Sequence, residues 1–193
     1  IQDYCAVNPE FGTMEDFDSF VAKAHSLGMK ILLDWVANHT SRDAKWLTDK
    51  PADWYKRADD GSPAVPWDWS DTAQLNYDNR EVWQGQIDAM KFWVTEHNID
   101  GFRCDMAEMV PVEFWHWAIA KVKSVHPNIV FIAEVYNPAQ YRSYIHHGGF
   151  DYLYDKVGMY DTLRSVVQGQ GTAEAVTYAW QAVDDIKEHM LNF

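Results

Sequence analysis

Two carboxylates close two short apolar runs. Asp105 ends Gly101-Phe102-Arg103-Cys104-Asp105, and Glu134 ends Val130-Phe131-Ile132-Ala133-Glu134. The interval between them suits one strand, one helix and the return to a neighbouring parallel strand. Such strands end on the same sheet edge, roughly 4.8 Å apart, so the two acids can face one another across a cleft. A pair about 5–5.5 Å apart is the geometry of a retaining glycosidase, with one nucleophile and one acid/base. Arg103 and Asp105 are two apart on the strand and point to the same side, where the cation favours an ionised Asp105. Glu134 follows Ala133 on an apolar strand, the desolvated setting that suits a general acid.

Other strand ends carry polar residues too. Asp34 lies near the end of the apolar run 30–36, and Asn38 and His39 follow it. A lone strand-end Asp is usually a helix cap or a surface ion pair. Three strand ends with carboxylates, one beside an Arg, weaken that explanation because clustered charge is costly to hold without a function. His39 taken alone reads as a loop or core histidine. His25, His97, His116, His126, His146, His147 and His189 are scattered on expected helices or turns and read as surface or packing residues.

The elements that must position these groups alternate. Phe17, Phe20, Val21, Ala24 and Leu27 recur at helical steps, with Thr13 and Asp16 as an Asp-type capping box and Gly28 as the stop. A buried strand over 30–36 follows. Residues 40–79, rich in Asp, Trp and Pro, have no clear period and read as an irregular insertion. Helical spacing returns over 80–97. Strand 101–104, helix 112–125, strand 129–133, helix 138–147, strand 150–154, helix 172–188 and a terminal strand starting near Met190 complete the pattern. Helices alternating with short apolar strands mean an α/β parallel sheet, here most of a barrel. Trp83, Trp93, Trp115 and Trp117 fall at helical spacing and read as core. Trp46, Trp54, Tyr55, Trp67 and Trp69 of the insertion could stack on sugar faces or build the core of a small subdomain.

Size and charge narrow the classes. The 193 residues start at Ile1 and can bury one sizeable core, short of the ~250 typical of a (β/α)8 barrel. The chain is therefore expected to be an internal piece of a larger enzyme, and its compartment stays open. Sixteen Lys and Arg against 29 Asp and Glu give −13, which repels nucleic acid and suits a neutral substrate such as a sugar. No run approaches the ~20 apolar residues of a membrane span. Cys5 and Cys104 lack metal-ligand spacing, and no disulfide framework is expected.

These residues together resemble the α-amylase family, glycoside hydrolase family 13. Asp34-Trp35-Val36-Ala37-Asn38-His39 is similar to its first signature and Gly101–Asp105 to its second, with the nucleophile. Phe131-Ile132-Ala133-Glu134 is similar to its third, with the acid/base. Leu75-Asn76 is similar to the signature near the end of domain B, and Asn8-Pro9-Glu10-Phe11-Gly12-Thr13 to the turn into the second barrel helix. The resemblance implies a partial TIM (β/α)8 barrel, from about the second or third barrel strand to the seventh. Its parts would be 1–39 as barrel, 40–79 as a domain B insertion after the third barrel strand, and 80–193 as barrel ending at the start of the seventh. It implies Asp105 as nucleophile, Glu134 as acid/base, Arg103 as partner of Asp105, His39 as a sugar contact, and Asp34 and Asn38 as support. The implied substrate is an α-1,4-glucan such as starch or maltodextrin. The family's fourth signature, with a third carboxylate, is not among these residues, so the isolated chain is expected to be inactive. Calcium is a doubtful cofactor, since Gln74 stands where many relatives carry an acidic ligand and Asn38 alone makes no site. Met106 and Ala107 replace a polar pair often seen after the nucleophile, which leaves hydrolysis and transglycosylation both open.

Two other readings fit less well. Asp34, Asp105 and Glu134 could hold Mg²⁺ for a barrel lyase or isomerase, but no strand-end Lys is available as base. A non-catalytic relative used for binding would be expected to lose Asp105 and Glu134.

Overall fold

The computed structural model describes residues 1–191. Its centre is a five-stranded parallel sheet. In chain order the strands are β1 (Leu32–Val36), β2 (His39–Ser41), β3 (Thr72–Gln74), β4 (Gly101–Asp105), β5 (Val130–Ala133), β6 (Tyr152–Tyr154) and β7 (Met190–Leu191). The parallel order is β1-β4-β5-β6-β7, while β2 and β3 form a separate antiparallel pair. The arrangement is a partial α/β barrel. Its five strands coincide with the five apolar runs of the sequence.

Register brings the functional ends together. Val36 pairs with Asp105, Cys104 with Ala133, Ala133 with Leu153 and Tyr154 with Leu191, so every strand delivers its carboxyl end to one edge. Gly101 is needed where β4 starts, because a Cβ there would stand 2.2 Å from the Val130 carbonyl oxygen. At this opposite edge Asp100 ties the strands. Its Oδ2 accepts from the Ile31 N–H (2.8 Å) and lies 2.8 Å from His25 Nε2, and its backbone oxygen accepts from the Val130 N–H (2.9 Å).

Helices α1 (Met14–Ser26), α2 (Lys45–Asp49), α3 (Arg80–Glu96), α4 (Val112–Lys123), α5 (Asp161–Val167) and α6 (Ala173–Gln181) complete the fold. The Thr13/Asp16 capping box forms as expected, with both reciprocal bonds. The core under α3 and α4 is aromatic: Trp83, Trp93, Phe102, Phe114, Trp115 and Phe131 are buried. Trp117 is partly buried against it.

Several expectations need correction. Phe20 and Leu27 do not join the buried face of α1, which buries only Val21 and Ala24; β1 is the edge of the described sheet, and the far side of α1 has no described element to cover. The helix expected over 138–147 is a 3-10 turn at Pro138–Gln140 followed by a π-helical turn at Ser143–Gly148. The helix expected over 172–188 ends at Gln181 and gives way to a 3-10 segment, Asp184–His189. A second π-helical turn, Lys156–Tyr160, runs straight into α5. Neither was visible as a period, because i→i+5 turns do not repeat at 3.6 residues. The end of the expected terminal strand lies outside the described residues.

The insertion has its own small core. Trp54 and Tyr55 are buried, Trp46 packs edge-on against Trp54 at 5.1 Å, and Tyr55 Oη lies 3.1 Å from Thr40 Oγ1. Trp54 Nε1 also donates to Glu81 Oε2 of α3 (3.2 Å), fastening the insertion to the barrel wall.

Candidate active site

Arg103 is the hub of the carboxyl edge. Its Nη1 donates to Asp34 Oδ1 and to Asp105 Oδ1, each at 2.8 Å, and its Nη2 meets Glu134 Oε1 at 2.6 Å. Its Nε donates to the Tyr154 hydroxyl. One planar guanidinium therefore gathers the ends of β1, β4, β5 and β6, using donors whose fork geometry matches carboxylates. Burial acts to lower the Arg103 pKa, but the bonds to Asp34, Tyr154 and Asp105 and the charge of Glu134 outweigh it and raise it. The guanidinium is a permanent cation. The sequence paired it with Asp105 alone; the structure shares it with Glu134 and Asp34.

Glu134 is buried. Its Oε1 also accepts from the Tyr136 hydroxyl (3.0 Å), and its Oε2 accepts from the Met106 N–H (2.9 Å). That last bond depends on a turn in the chain just after Asp105. Met106 has φ +43°, a left-handed conformation that costs a non-glycine residue roughly 1–2 kcal/mol. The backbone also locks β4 to β5 here, with the Ala107 N–H donating to the Glu134 carbonyl (2.9 Å).

His39 opens β2 and stands opposite Gln74. Its ring lies 5.2 Å from that of Trp69. Burial lowers its pKa, and the negative charge of Asp105 opposes that shift. Of the insertion's aromatics, Trp69 thus stands beside a candidate site residue, while Trp46, Trp54 and Tyr55 serve the subdomain core. Trp67 is exposed in a left-handed conformation.

Asn38 is buried, with its Nδ2 3.3 Å from His39 Nδ1 and 3.9 Å from the Met109 sulfur. Calcium takes about six to eight oxygen ligands. A buried amide beside an imidazole and a thioether does not fit that demand. Among the described residues, no three His, Cys, Asp or Glu side chains gather as a metal donor set. Cys5 and Cys104 are both free, and burial pushes the Cys104 thiol well up.

Four residues escaped the sequence reading. Tyr136 and Tyr154 bond Glu134 and Arg103, Glu108 accepts from the N–H groups of Tyr136 and Asn137 (3.1 Å each), and Lys156 lines the adjoining cavity. Tyr154 closes β6 and was open to the same strand-end argument as Asp105. Tyr136 stands two residues beyond Glu134, the spacing already used for Arg103 and Asp105. Glu108 and Lys156 lie in turns without period and gave no comparable signal.

The fold and the gathered edge define the class: an α/β-barrel enzyme domain with carboxylates, an arginine and tyrosines converging at the strand carboxyl ends. The family model described as "Alpha amylase, catalytic domain" matches residues 1–72 and 66–155, and the chain belongs to that family. Alpha-amylase 3 of Dictyoglomus thermophilum is 32% identical over 165 residues, covering 71% of this chain and 32% of that protein. The α-1,4-glucan:maltose-1-phosphate maltosyltransferase of Mycolicibacterium smegmatis is 35% identical over 137 residues, covering 68% of this chain and 19% of that protein. The crystal structure of an α-amylase from Lactobacillus plantarum superposes with a TM-score of 0.84 at 36% identity, covering 96% of this chain and 46% of that one. The chain thus spans a third or less of these two curated relatives and about half of the solved structure. No described helix is long and apolar enough to cross a membrane.

Proposed function

We propose that this chain supplies the catalytic edge of a retaining glycoside hydrolase acting on α-1,4-glucans. The observation that carries the reading is the shared guanidinium, which holds Asp105 and Glu134 on neighbouring nitrogens at 2.8 and 2.6 Å. Asp105, as the carboxylate, attacks the anomeric carbon. The glycosidic C–O bond breaks, and its electron pair leaves with the oxygen, which takes the proton of Glu134. Water then attacks the anomeric carbon of the glycosyl-enzyme and gives a proton to Glu134, and Asp105 is released as carboxylate. Arg103 orients the nucleophile, and Tyr136 and the Met106 N–H fix the Glu134 carboxyl. His39 and Asp34 contact the sugar at the cleaved bond. A third carboxylate of the family's set is not among these residues, and the chain by itself is inactive in this account. Calcium has no part in the chemistry.

The names of the relatives support glucan substrates and also keep transglycosylation as a second reading. Met106 and Ala107, which stand where a polar pair is often seen after the nucleophile, leave the choice between the two open. A Mg²⁺-dependent lyase is disfavoured by Arg103, whose guanidinium already occupies the space between the three carboxylates. The test is stereochemical. Proton NMR of the first-formed product of the full-length protein on maltoheptaose should show the α-anomer, with the β-anomer appearing only by mutarotation. An initial β-anomer would overturn the retaining mechanism.

A further inference from the structure

A cavity of about 420 Å³ opens beside Glu134, lined by Arg103, Glu134, Tyr136, Tyr154 and Lys156. That size lies within the range of small-molecule sites. Asp105, Asp34 and His39 do not line it. Its lining comes from Arg103 of β4, from Tyr154 of β6 and from residues just after β5 and β6, so it borders the acid/base on its β6 side. In a retaining mechanism the leaving oxygen sits on the acid/base. The saccharide attached to that oxygen must then occupy the space next to Glu134.

Lys156 is the cavity's second cation, and it is held. Its Nζ donates to Asp161 Oδ1 at 2.6 Å and lies 4.7 Å from the centroid of the Tyr160 ring. The π-helical turn makes this possible. The Tyr160 N–H donates to the Asp155 carbonyl (3.0 Å), an i→i+5 bond, so Lys156 and Asp161 come onto one side of the widened turn. Asp155, 2% exposed, anchors the turn from beneath: its Oδ1 accepts from the Gly158 N–H (2.8 Å) and the Tyr141 hydroxyl (3.1 Å). A Cβ on Gly158 would stand 2.3 Å from that oxygen, so only glycine fits. Such turns inside helices recur at functional sites.

We propose that Lys156 is a specificity-determining residue that hydrogen-bonds the leaving-group saccharide, held for that task by Asp161 and Tyr160. The inference rests on the glycosidase reading above. An ammonium has three donors. Asp161 takes one and balances the charge, which leaves donors for the hydroxyl and acetal oxygens of a neutral sugar and no surplus charge to recruit an anion. Tyr136 and Tyr154 supply ring surface in the same cavity for a pyranose face.

The experiment compares two substrates of the full-length protein. Maltoheptaose places a saccharide in the cavity, whereas α-maltosyl fluoride leaves as fluoride and does not. Lys156→Met should lower kcat/KM about ten-fold more on maltoheptaose than on the fluoride, the fold-change of one charge-assisted hydrogen bond. The loss should fall mainly on KM. Lys156→Arg should recover most of it, and Asp161→Asn should shift the ratio the same way by less. Should Lys156→Met fail to fold, the ratios for the other two variants decide. Equal losses on both substrates, or a ratio within about three-fold of the parent, would overturn the role of Lys156 while leaving the glycosidase reading intact. A folded parent that cleaves neither substrate would refute the glycosidase reading and this inference with it.

Discussion

Replacing Arg103 by lysine tests whether a shared guanidinium, or merely a positive charge, organises the site. The ammonium keeps the charge but is a point donor that cannot span two carboxylates and a tyrosine at once. The contact to Asp34 counts for little, since that side chain is 63% exposed and a surface pair contributes about 0–1 kcal/mol. Asp105 and Glu134 are better shielded, at 25% and 11%. A lysine that keeps one of them loses the other, at about 1.5 kcal/mol for a hydrogen bond to a charged group, and the Tyr154 bond at about 1 kcal/mol. The expected loss of about 2.5 kcal/mol corresponds to ~70-fold in kcat on α-maltosyl fluoride. The circular dichroism spectrum should be unchanged, because the backbone pairing of Arg103 with Asp34 and Ile132 does not involve its side chain. Arg103→Met removes the charge and every one of these bonds, and its loss in kcat should exceed that of Arg103→Lys. An Arg103→Lys enzyme within three-fold of the parent would refute the shared-fork account.

Asp105→Asn should nearly abolish cleavage of every substrate with a small change in binding, because the amide cannot serve as anionic nucleophile. Glu134→Gln should be severe on maltoheptaose but partly rescued on α-maltosyl fluoride, whose leaving group needs little protonation; equal rescue of both variants would show the roles reversed or wrong. At the opposite edge, Asp100→Asn should cost about 1–3 kcal/mol of stability in urea denaturation and leave kcat near the parent's, since its bonds to Ile31 and His25 clamp strand starts far from the chemistry. Burial opposes but does not outweigh the bonds and the charges of His25 and Lys30, which lower the Asp100 pKa below the ordinary 3.8. Its stabilisation is therefore present above pH 3.8 and lost as pH falls through the lower folded value; the variant's stability should fall less steeply in that acid range. A parent and variant with parallel acid limbs would contradict this.

The carboxyl edge was legible because strand physics is local. An apolar run followed by one polar residue marks a buried strand and its end, and the two-residue period puts Arg103 and Asp105 on one side. Glu134 followed from the length of one βα repeat. Its ion pair with Arg103 was not legible, since it depends on the register of β4 against β5. The turns around the site were the hardest to read. Met106 adopts a left-handed conformation without being Gly, Asn or Asp, so no residue type announced it. Lys156–Tyr160 winds with the wrong period, and α5 buries none of its residues, so no apolar face marked it. The family resemblance added what spacing could not, the α-1,4-glucan substrate class and the sugar-contact role of His39, to residues already singled out by position.

The central claim is that Asp105 becomes bonded to sugar during turnover. It is tested most directly by trapping. The full-length protein is mixed with a fluorinated α-glycosyl fluoride, whose electron-poor sugar slows deglycosylation more than it slows the first step, and the digest is mapped by mass spectrometry. The account predicts a one-to-one adduct on the peptide containing Gly101–Asp105, localised by fragmentation to Asp105 and absent in Asp105→Asn. An adduct on Glu134 or elsewhere, or turnover of the reagent with no adduct under conditions that slow deglycosylation, would contradict it.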